Sequence, residues 1–466
     1  MSVAGLHIVL VSVHGLIRGN NPEYGRDADT GGQVRYVIEL ARALADRRRV
    51  ARVDILTRRI VDSTVSSVYS KATEQIAENA FIVRLSCGTD DYIRKEALWS
   101  YLSLFADSAR EYIASAARGP LLFHSHYADS GMVAVELAKQ LHAPHVFTGH
   151  SLGRAKRQRL LEAGVSQVDV EQRFNMSTRI ASEEWVMSQA DLVIASTDRE
   201  IRKQYSLYGG FDAWRSIVNP PGIDTHTFRP PDNAEKFTEM RAQLDALFSD
   251  PEKPLILAIS RPDERKNLTV LAHSFIGVSK LRERANLLIV SGGSGKYDRC
   301  NMQPNQALSE LKSLIYSHNL EGSVALLEFM PSDRIAELYK IAFRSRGALV
   351  NSALTEPFGL TLLEASATGL PIIATRDGGP SEIIQHCRNG LLIDPLDTGQ
   401  IAEALLCVLN NMTLWETCSN NGLRLIRQNY SWSGHTDAYL NRVESLFRPD
   451  IEKESSLRPY VCAIGA

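Results

Sequence analysis

Cysteine pairs, long apolar runs and any excess of one charge are missing from this chain. Its six cysteines (Cys87, Cys300, Cys387, Cys407, Cys418 and Cys462) are scattered, with no Cys-x-x-Cys among them. That speaks against a disulfide framework or a zinc site and fits a reducing, cytoplasmic setting. No run of about 18 apolar residues exists, so no membrane span is expected. The opening Met1-Ser-Val-Ala-Gly-Leu-His7 lacks the basic start of a signal peptide. Basic and acidic residues number 52 and 54, a formal net charge of −2, which gives nucleic acid or an anionic membrane no electrostatic hold. Gly-x-Gly-x-x-Gly follows none of the expected strands. Ser291-Gly-Gly-Ser-Gly295 comes nearest, with the wrong spacing, which argues against a nicotinamide-dependent oxidoreductase. There is no repeat of solenoid length and no low-complexity segment.

What is present is alternation. At 466 residues the chain is too long for one ordinary core, and two domains of about 200 residues are expected. Short β-branched runs at 7–13, 53–57, 81–85, 121–124, 145–148 and 192–196 read as strands. Between the first two, 34–45 reads as a helix, with Val34, Val37, Ile38, Ala41 and Leu44 on one face. The pattern pauses at Asn219-Pro-Pro-Gly222 and loosens over 229–253. A second series then begins, with strands expected at 254–259, 286–290, 324–327, 348–350 and 371–374. Such alternation means βαβ units and parallel sheets. The fold class is therefore α/β: two doubly wound, Rossmann-like domains with an interdomain cleft. The expected division is a first Rossmann-like domain over 1–228, a second over 229–435, and a helix and tail over 436–466 packing back on the first domain; which domain takes which substrate is implied only by the resemblance given below.

Late in the chain, 348–354 reads as a buried strand, and Thr355-Glu356-Pro357-Phe358-Gly359-Leu360 as a tight loop. Residues 361–369 read as a helix with Glu364 about two turns in. Such a loop aims backbone N–H groups and a helix dipole at the carboxyl edge of a sheet, where nucleotides bind. The spacing of the two glutamates is weak evidence alone; the Pro-Phe-Gly turn between them strengthens it. Ser260-Arg261-Pro-Asp-Glu-Arg265-Lys266-Asn267 follows the first strand of the second series. Arg261 and Lys266 can converge there on a diphosphate, although a solvated basic loop is the ordinary reading of such a cluster. Asp29-Thr-Gly31-Gly32-Gln33 opens the first helix, and its glycines allow close approach to the backbone; a plain tight turn explains a lone Gly-Gly equally well. Thr148-Gly149-His150-Ser151 ends a strand, with a basic run from Arg154 to Arg157 behind it. Taken alone, that histidine would more often be structural, and that run a solvated helix face or equally a phosphate pocket. His124-Ser-His126 and Asp27-Ala-Asp29 have metal-like spacings but no evident third ligand, and carry little weight.

As an ordered set these motifs resemble the family 4 retaining glycosyltransferases of the GT-B fold. The set also includes Ser125-His-Tyr127-Ala-Asp-Ser-Gly131 and Pro220-Pro-Gly-Ile-Asp224. The resemblance implies transfer of glucose from a nucleoside diphosphate, with UDP-glucose foremost, to fructose 6-phosphate, giving sucrose 6-phosphate with no cofactor and no metal. It implies that the first domain binds the acceptor and the second the nucleotide sugar, and that Arg261 and Lys266 neutralise the departing diphosphate. Glu356 with Phe358, Gly359 and Leu360 would hold glucose hydroxyls, Glu364 the ribose, and His150 the transferred sugar. Gly32 would belong to the donor side, and Gly31, Gln33, Lys95, Tyr127, Ser151, Lys156 and Arg179 to the acceptor. Lys95, Lys156 and Arg179 converging on one pocket would repel one another unless an anion sits there. Free fructose as acceptor, mannose as the donor hexose and a non-catalytic sugar-nucleotide sensor stay open at this point. So do the nucleobase and the oligomeric state.

Overall fold

The computed structural model describes residues 5–447, apart from 25, 28, 163, 262–263, 292–296, 299–302, 305, 328–329 and 331. The glycine-rich stretch after Ser291, Pro262 and Asp263, Cys300, Cys462, the first four residues and the tail from 455 therefore lie outside the described residues. The chain divides into two compact units. One comprises the residues up to 22, 29–221 and those from 435; the other comprises 23–28 and 222–434.

The first unit is built on eight strands: β1 (Leu6–Val11), β2 (Val50–Arg58), β3 (Thr73–Ala77), β4 (Ala80–Leu85), β5 (Leu121–His126), β6 (His145–Thr148), β7 (Leu192–Ala195) and β8 (Ser216–Val218). Their order is β3-β4-β2-β1-β5-β6-β7-β8. All pairs are parallel except β3 with β4. Val9, Val11 and Phe123 point into one apolar cluster, while Ile8 and Leu10, facing the other way, are just as buried. Burial on both faces is why these strands read as unbroken apolar runs. The helix Gly32–Ala45 buries the five apolar positions expected of it, with Tyr36 and Leu40 in addition. The chain leaves β1 toward β2 on one side and returns to β5 on the other. The switch in strand order, where such sheets bind ligands, thus falls between β1 and β5. The helix Trp432–Glu444 joins this unit from His435 onward. Arg47 Nε donates to Thr436 Oγ1 at 2.8 Å, Arg49 donates to Asn441 Oδ1 at 2.9 Å, and the Tyr439 ring stacks on His124 at 5.5 Å.

The second unit holds β9 (Leu255–Ser260), β10 (Asn286–Ser291), the short antiparallel pair β11 (Tyr297–Asp298) and β12 (Gln303–Pro304), β13 (Val324–Leu327), β14 (Ala348–Asn351), β15 (Ile372–Thr375) and β16 (Gly390–Ile393). Its main sheet runs β13-β10-β9-β14-β15-β16, parallel throughout. Leu255, Leu257, Leu288 and Leu349 fill one core, and Ile256, Ala258, Leu287, Ile289 and Val350 the opposite one. The period of two sends alternate side chains to opposite helical layers. Here the switch in order lies between β9 and β14. No helix among the described residues is long and apolar enough to cross a membrane.

Candidate functional site

At the carboxyl ends of β9 and β14 two basic and acidic segments meet. Lys266 ends a single 3-10 turn (Glu264–Lys266), and the helix Leu268–Gly277 follows. Between them Asn267 adopts φ +54°, and its amide donates to the carbonyls of Ser352 (3.1 Å) and Pro395 (2.7 Å). Leu354 N–H donates to the Arg265 carbonyl at 2.8 Å. These bonds lock the loop after β9 to the loop after β14. Lys266 Nζ is thereby brought to 2.5 Å from Glu356 Oε2, which also accepts from Asn351 Nδ2 at 3.2 Å. Burial favours a neutral Glu356 carboxyl. The Lys266 charge and hydrogen bond, with Arg265 and Asn351 behind them, outweigh it and hold the group below the usual carboxylate range. Arg261 stands half-buried one residue beyond β9.

The loop after β14 is fixed by close backbone contacts. Gly359 has φ +102° and caps the helix Leu360–Thr368; a Cβ there would come within 2.8 Å of Leu362 Cδ1. Gly379 N–H donates to the Glu356 carbonyl at 2.9 Å, and a Cβ on Gly378, at φ +100°, would fall 1.9 Å from that same oxygen. The first N–H groups of the helix, at Leu360 and Thr361, have no acceptor within the helix and make an anion-ready end. Glu364 is fully buried just past the first turn, one turn in rather than two, and its Oε2 accepts from Tyr339 Oη at 2.8 Å.

In the first unit, the ends of β1, β5 and β6 gather histidines. His14 Nδ1 bonds Asp129 Oδ2 at 2.7 Å, with both residues buried. Burial lowers the affinity of His14 for a proton, but Asp129 more than compensates and raises its pKa above the usual value. Asp29 accepts both the side-chain Nζ and the backbone N–H of Lys95, and is held below the carboxylate range although burial opposes this. His150, at φ +55°, lies with Nε2 3.0 Å from His126 Nδ1, and Tyr36 meets both rings edge-on. Burial pushes His150 down to about 3.

The expected acceptor residues are brought partly together. Arg179 packs 4.3 Å over the Tyr127 ring, and Tyr127 meets His14 edge-on at 4.8 Å. Arg179 also donates to the Ser151 carbonyl and, at 2.9 Å, to Glu183. Lys95 has Asp29 and Glu96 as partners, and Lys156 Nζ sits 4.0 Å over the Phe174 ring. The expectation that these cations need an anion to relieve repulsion is therefore corrected: Lys95 and Arg179 are already neutralised by carboxylates of the chain. Gln33 Nε2 donates to Ser12 Oγ and to the His126 carbonyl, both at 3.3 Å. Nothing lies within 4 Å of a Cβ built on Gly31 or Gly32, and neither has a positive φ. The fold itself does not demand glycine there, whereas close approach of a ligand would. His14, Asp129, Asn267, Gly378 and Gly379 were assigned no role in the sequence reading. Asp377-Gly378-Gly379-Pro380 after a strand is a turn signal that could have pointed to the last two. Among the described residues no group of three or more His, Cys, Asp or Glu is placed to hold a metal ion.

Residues 3–225 match the family described as Sucrose synthase first GT-B domain, and 239–424 match Glycosyl transferases group 1. The chain is 38% identical to Sucrose-phosphate synthase 4 of Arabidopsis thaliana over 95% of its own length and 48% of that protein. It is also 38% identical to the Zea mays sucrose-phosphate synthase over 94% and 47%. The chain thus spans about half the length of the curated relatives it matches. Among solved structures it is similar to a sucrose-phosphate synthase from Thermosynechococcus elongatus, at TM-score 0.75 and 27% identity. That match covers 95% of this chain and 99% of the other.

Proposed function

We propose that the chain, which has the GT-B glycosyltransferase fold and is similar to sucrose-phosphate synthases, moves glucose from a nucleoside diphosphate glucose to fructose 6-phosphate, giving sucrose 6-phosphate. The observation that carries this reading is the contact of Lys266 with Glu356 at the strand-order switch of the second unit, where Arg261 follows β9 and the Gly359-capped helix begins.

In this reading the second unit takes the nucleotide sugar. Arg261, Lys266 and the helix N-terminus face the charge that grows on the leaving diphosphate; preorganised charge of this kind is usually the largest catalytic contribution. Glu356 stays ionised at neutral pH, so it accepts hydrogen bonds from glucose hydroxyls. Glu364, oriented by Tyr339, takes the ribose. His150 and the open Gly31-Gly32 backbone serve the sugar substrates on the first unit, with Lys156 toward the acceptor phosphate. The acceptor hydroxyl attacks C1 on the face from which the diphosphate departs. The C1–O bond to phosphate breaks as the new C1–O bond forms, and the hydroxyl proton passes to the departing phosphate oxygen. The α configuration is retained, and no protein nucleophile is required.

A steady-state assay crossing UDP-, ADP- and GDP-glucose with fructose and fructose 6-phosphate tests the proposal. Turnover with fructose 6-phosphate should exceed that with fructose by at least tenfold, the worth of one charge-assisted hydrogen bond to phosphate. Equal use of free fructose would overturn the acceptor assignment, and no turnover with any donor would overturn the reaction.

A further inference from the structure

The ring-to-ring contact between His126 and His150 determines which proton His150 offers. Both rings are neutral at ordinary pH, since burial pushes each far below the usual histidine value. One proton must therefore lie between His126 Nδ1 and His150 Nε2, which are 3.0 Å apart. Two arrangements are possible. If His150 Nε2 carried it, His126 would hold its own proton on Nε2. That atom is buried with no hydrogen-bond partner, so a donor would be orphaned in the core. If His126 Nδ1 carries it, only a lone pair is left facing the core, and unpaired buried N–H groups are the rarer defect. His150 Nδ1, by contrast, has no partner among the described residues, and His150 is half-buried rather than sealed.

From this geometry we infer that His126 is a positioning residue: its Nδ1–H donates to His150 Nε2, so His150 presents Nδ1–H to an oxygen acceptor of the ligand, a hydroxyl or phosphate oxygen. The surroundings hold the pair in place. Gln33 bonds the His126 carbonyl, Tyr127 N–H bonds the Thr148 carbonyl at 2.9 Å, and Gly149 N–H bonds Tyr205 Oη at 2.8 Å. The loop carrying His150 in a left-handed conformation is thus tied on both sides. The inference deepens the proposed function and rests on it for the identity of the ligand, but not for the proton's position.

The test has two parts. Nitrogen-15 NMR of the full chain labelled at histidine, assigned with His150→Ala and His126→Ala, should show His150 protonated at Nδ1 and bare at Nε2. A proton on His150 Nε2 overturns the inference whatever the activity. Turnover is then compared for His126→Asn, whose amide can still donate near the Nδ1 position, and His126→Leu, which cannot. Losing the partner that orients a metal-bound histidine costs about 10–100-fold, and a loss on the same scale is expected here. His126→Leu should fall in that range through kcat, with the KM for nucleotide sugar little changed, and His126→Asn should recover most of it. Equal losses in both variants would make His126 merely structural and overturn the positioning role. If His150→Ala keeps full turnover while the NMR result stands, the assignment of His150 to the substrate is overturned instead.

Discussion

Lys266 and Glu356 lie ninety positions apart in the chain yet their side chains meet at 2.5 Å, at the point where the order of the second sheet reverses. The pair is largely buried, with side-chain exposures of 13% and 12%. In the proposed reading it would join the diphosphate end of the site to the sugar end.

Lys266→Met should therefore do two separable things. It leaves the Glu356 carboxylate buried and unpaired, a defect that costs about 3–5 kcal/mol, and it removes one charge from the leaving group, worth about a hundredfold in kcat. The double variant Lys266→Met with Glu356→Gln should regain most of the stability in thermal unfolding without regaining turnover. Arg261→Ala should lose a similar factor in kcat.

Gly359→Ala tests the loop geometry. Alanine at φ +102° is strained by about 1–3 kcal/mol, and its methyl group would press on Leu362. Calorimetric titration with UDP should show weakened binding, since the helix end must shift. Unchanged affinity would mean that this helix end does not face the nucleotide.

Stability should fall on mild acidification. Burial holds His124 and His126 well below the ordinary value, His145 and His150 near 3, and His435 near 4. A histidine whose folded pKa is depressed contributes stability above its unfolded pKa of about 6.5, and that stability is lost as pH falls toward the folded value. Each such group adds a slope of up to about 1.4 kcal/mol per pH unit. His14 acts oppositely: its raised pKa contributes below about 6.5 and is lost as pH rises through the folded value. With five groups against one, the melting temperature at pH 5 should lie clearly below that at pH 7.5. A higher value at pH 5 would contradict the neutral histidine core.

Turnover should survive EDTA. In the proposed reading Arg261 and Lys266 supply the positive charge that a divalent ion would otherwise bring. Of the two aspartates with a metal-like spacing, Asp29 already accepts both donors of Lys95. Activity lost in EDTA and restored by Mn²⁺ would return Asp27 and Asp29 to the centre of the chemistry.

Much of the fold was legible because fully buried parallel strands are written as short apolar runs. Every strand expected from such a run is present, displaced by a few residues at its ends. The strands not anticipated carry weaker signals. β3, Thr-Glu-Gln-Ile-Ala, is a half-exposed antiparallel edge, β8 is three residues long, and β16 is four residues opening on glycine. In the candidate site, the Glu356–Gly359 loop was legible because its geometry is set within one turn. The distant pairings were not: His14 with Asp129, Asp29 with Lys95, or Asn267 with the carbonyls of Ser352 and Pro395. Only the folded chain brings those groups together, and the neutralising partners of Lys95 and Arg179 changed what their charges mean.

The most direct measurement of the central claim is the product itself. The purified chain is incubated with UDP-glucose and fructose 6-phosphate, and the mixture is read by proton and phosphorus NMR. The account expects a phosphorylated disaccharide with the transferred glucose in the α configuration, formed with release of UDP. A β-linked product, unphosphorylated sucrose formed as readily from free fructose, or UDP-glucose left intact with every acceptor would contradict it.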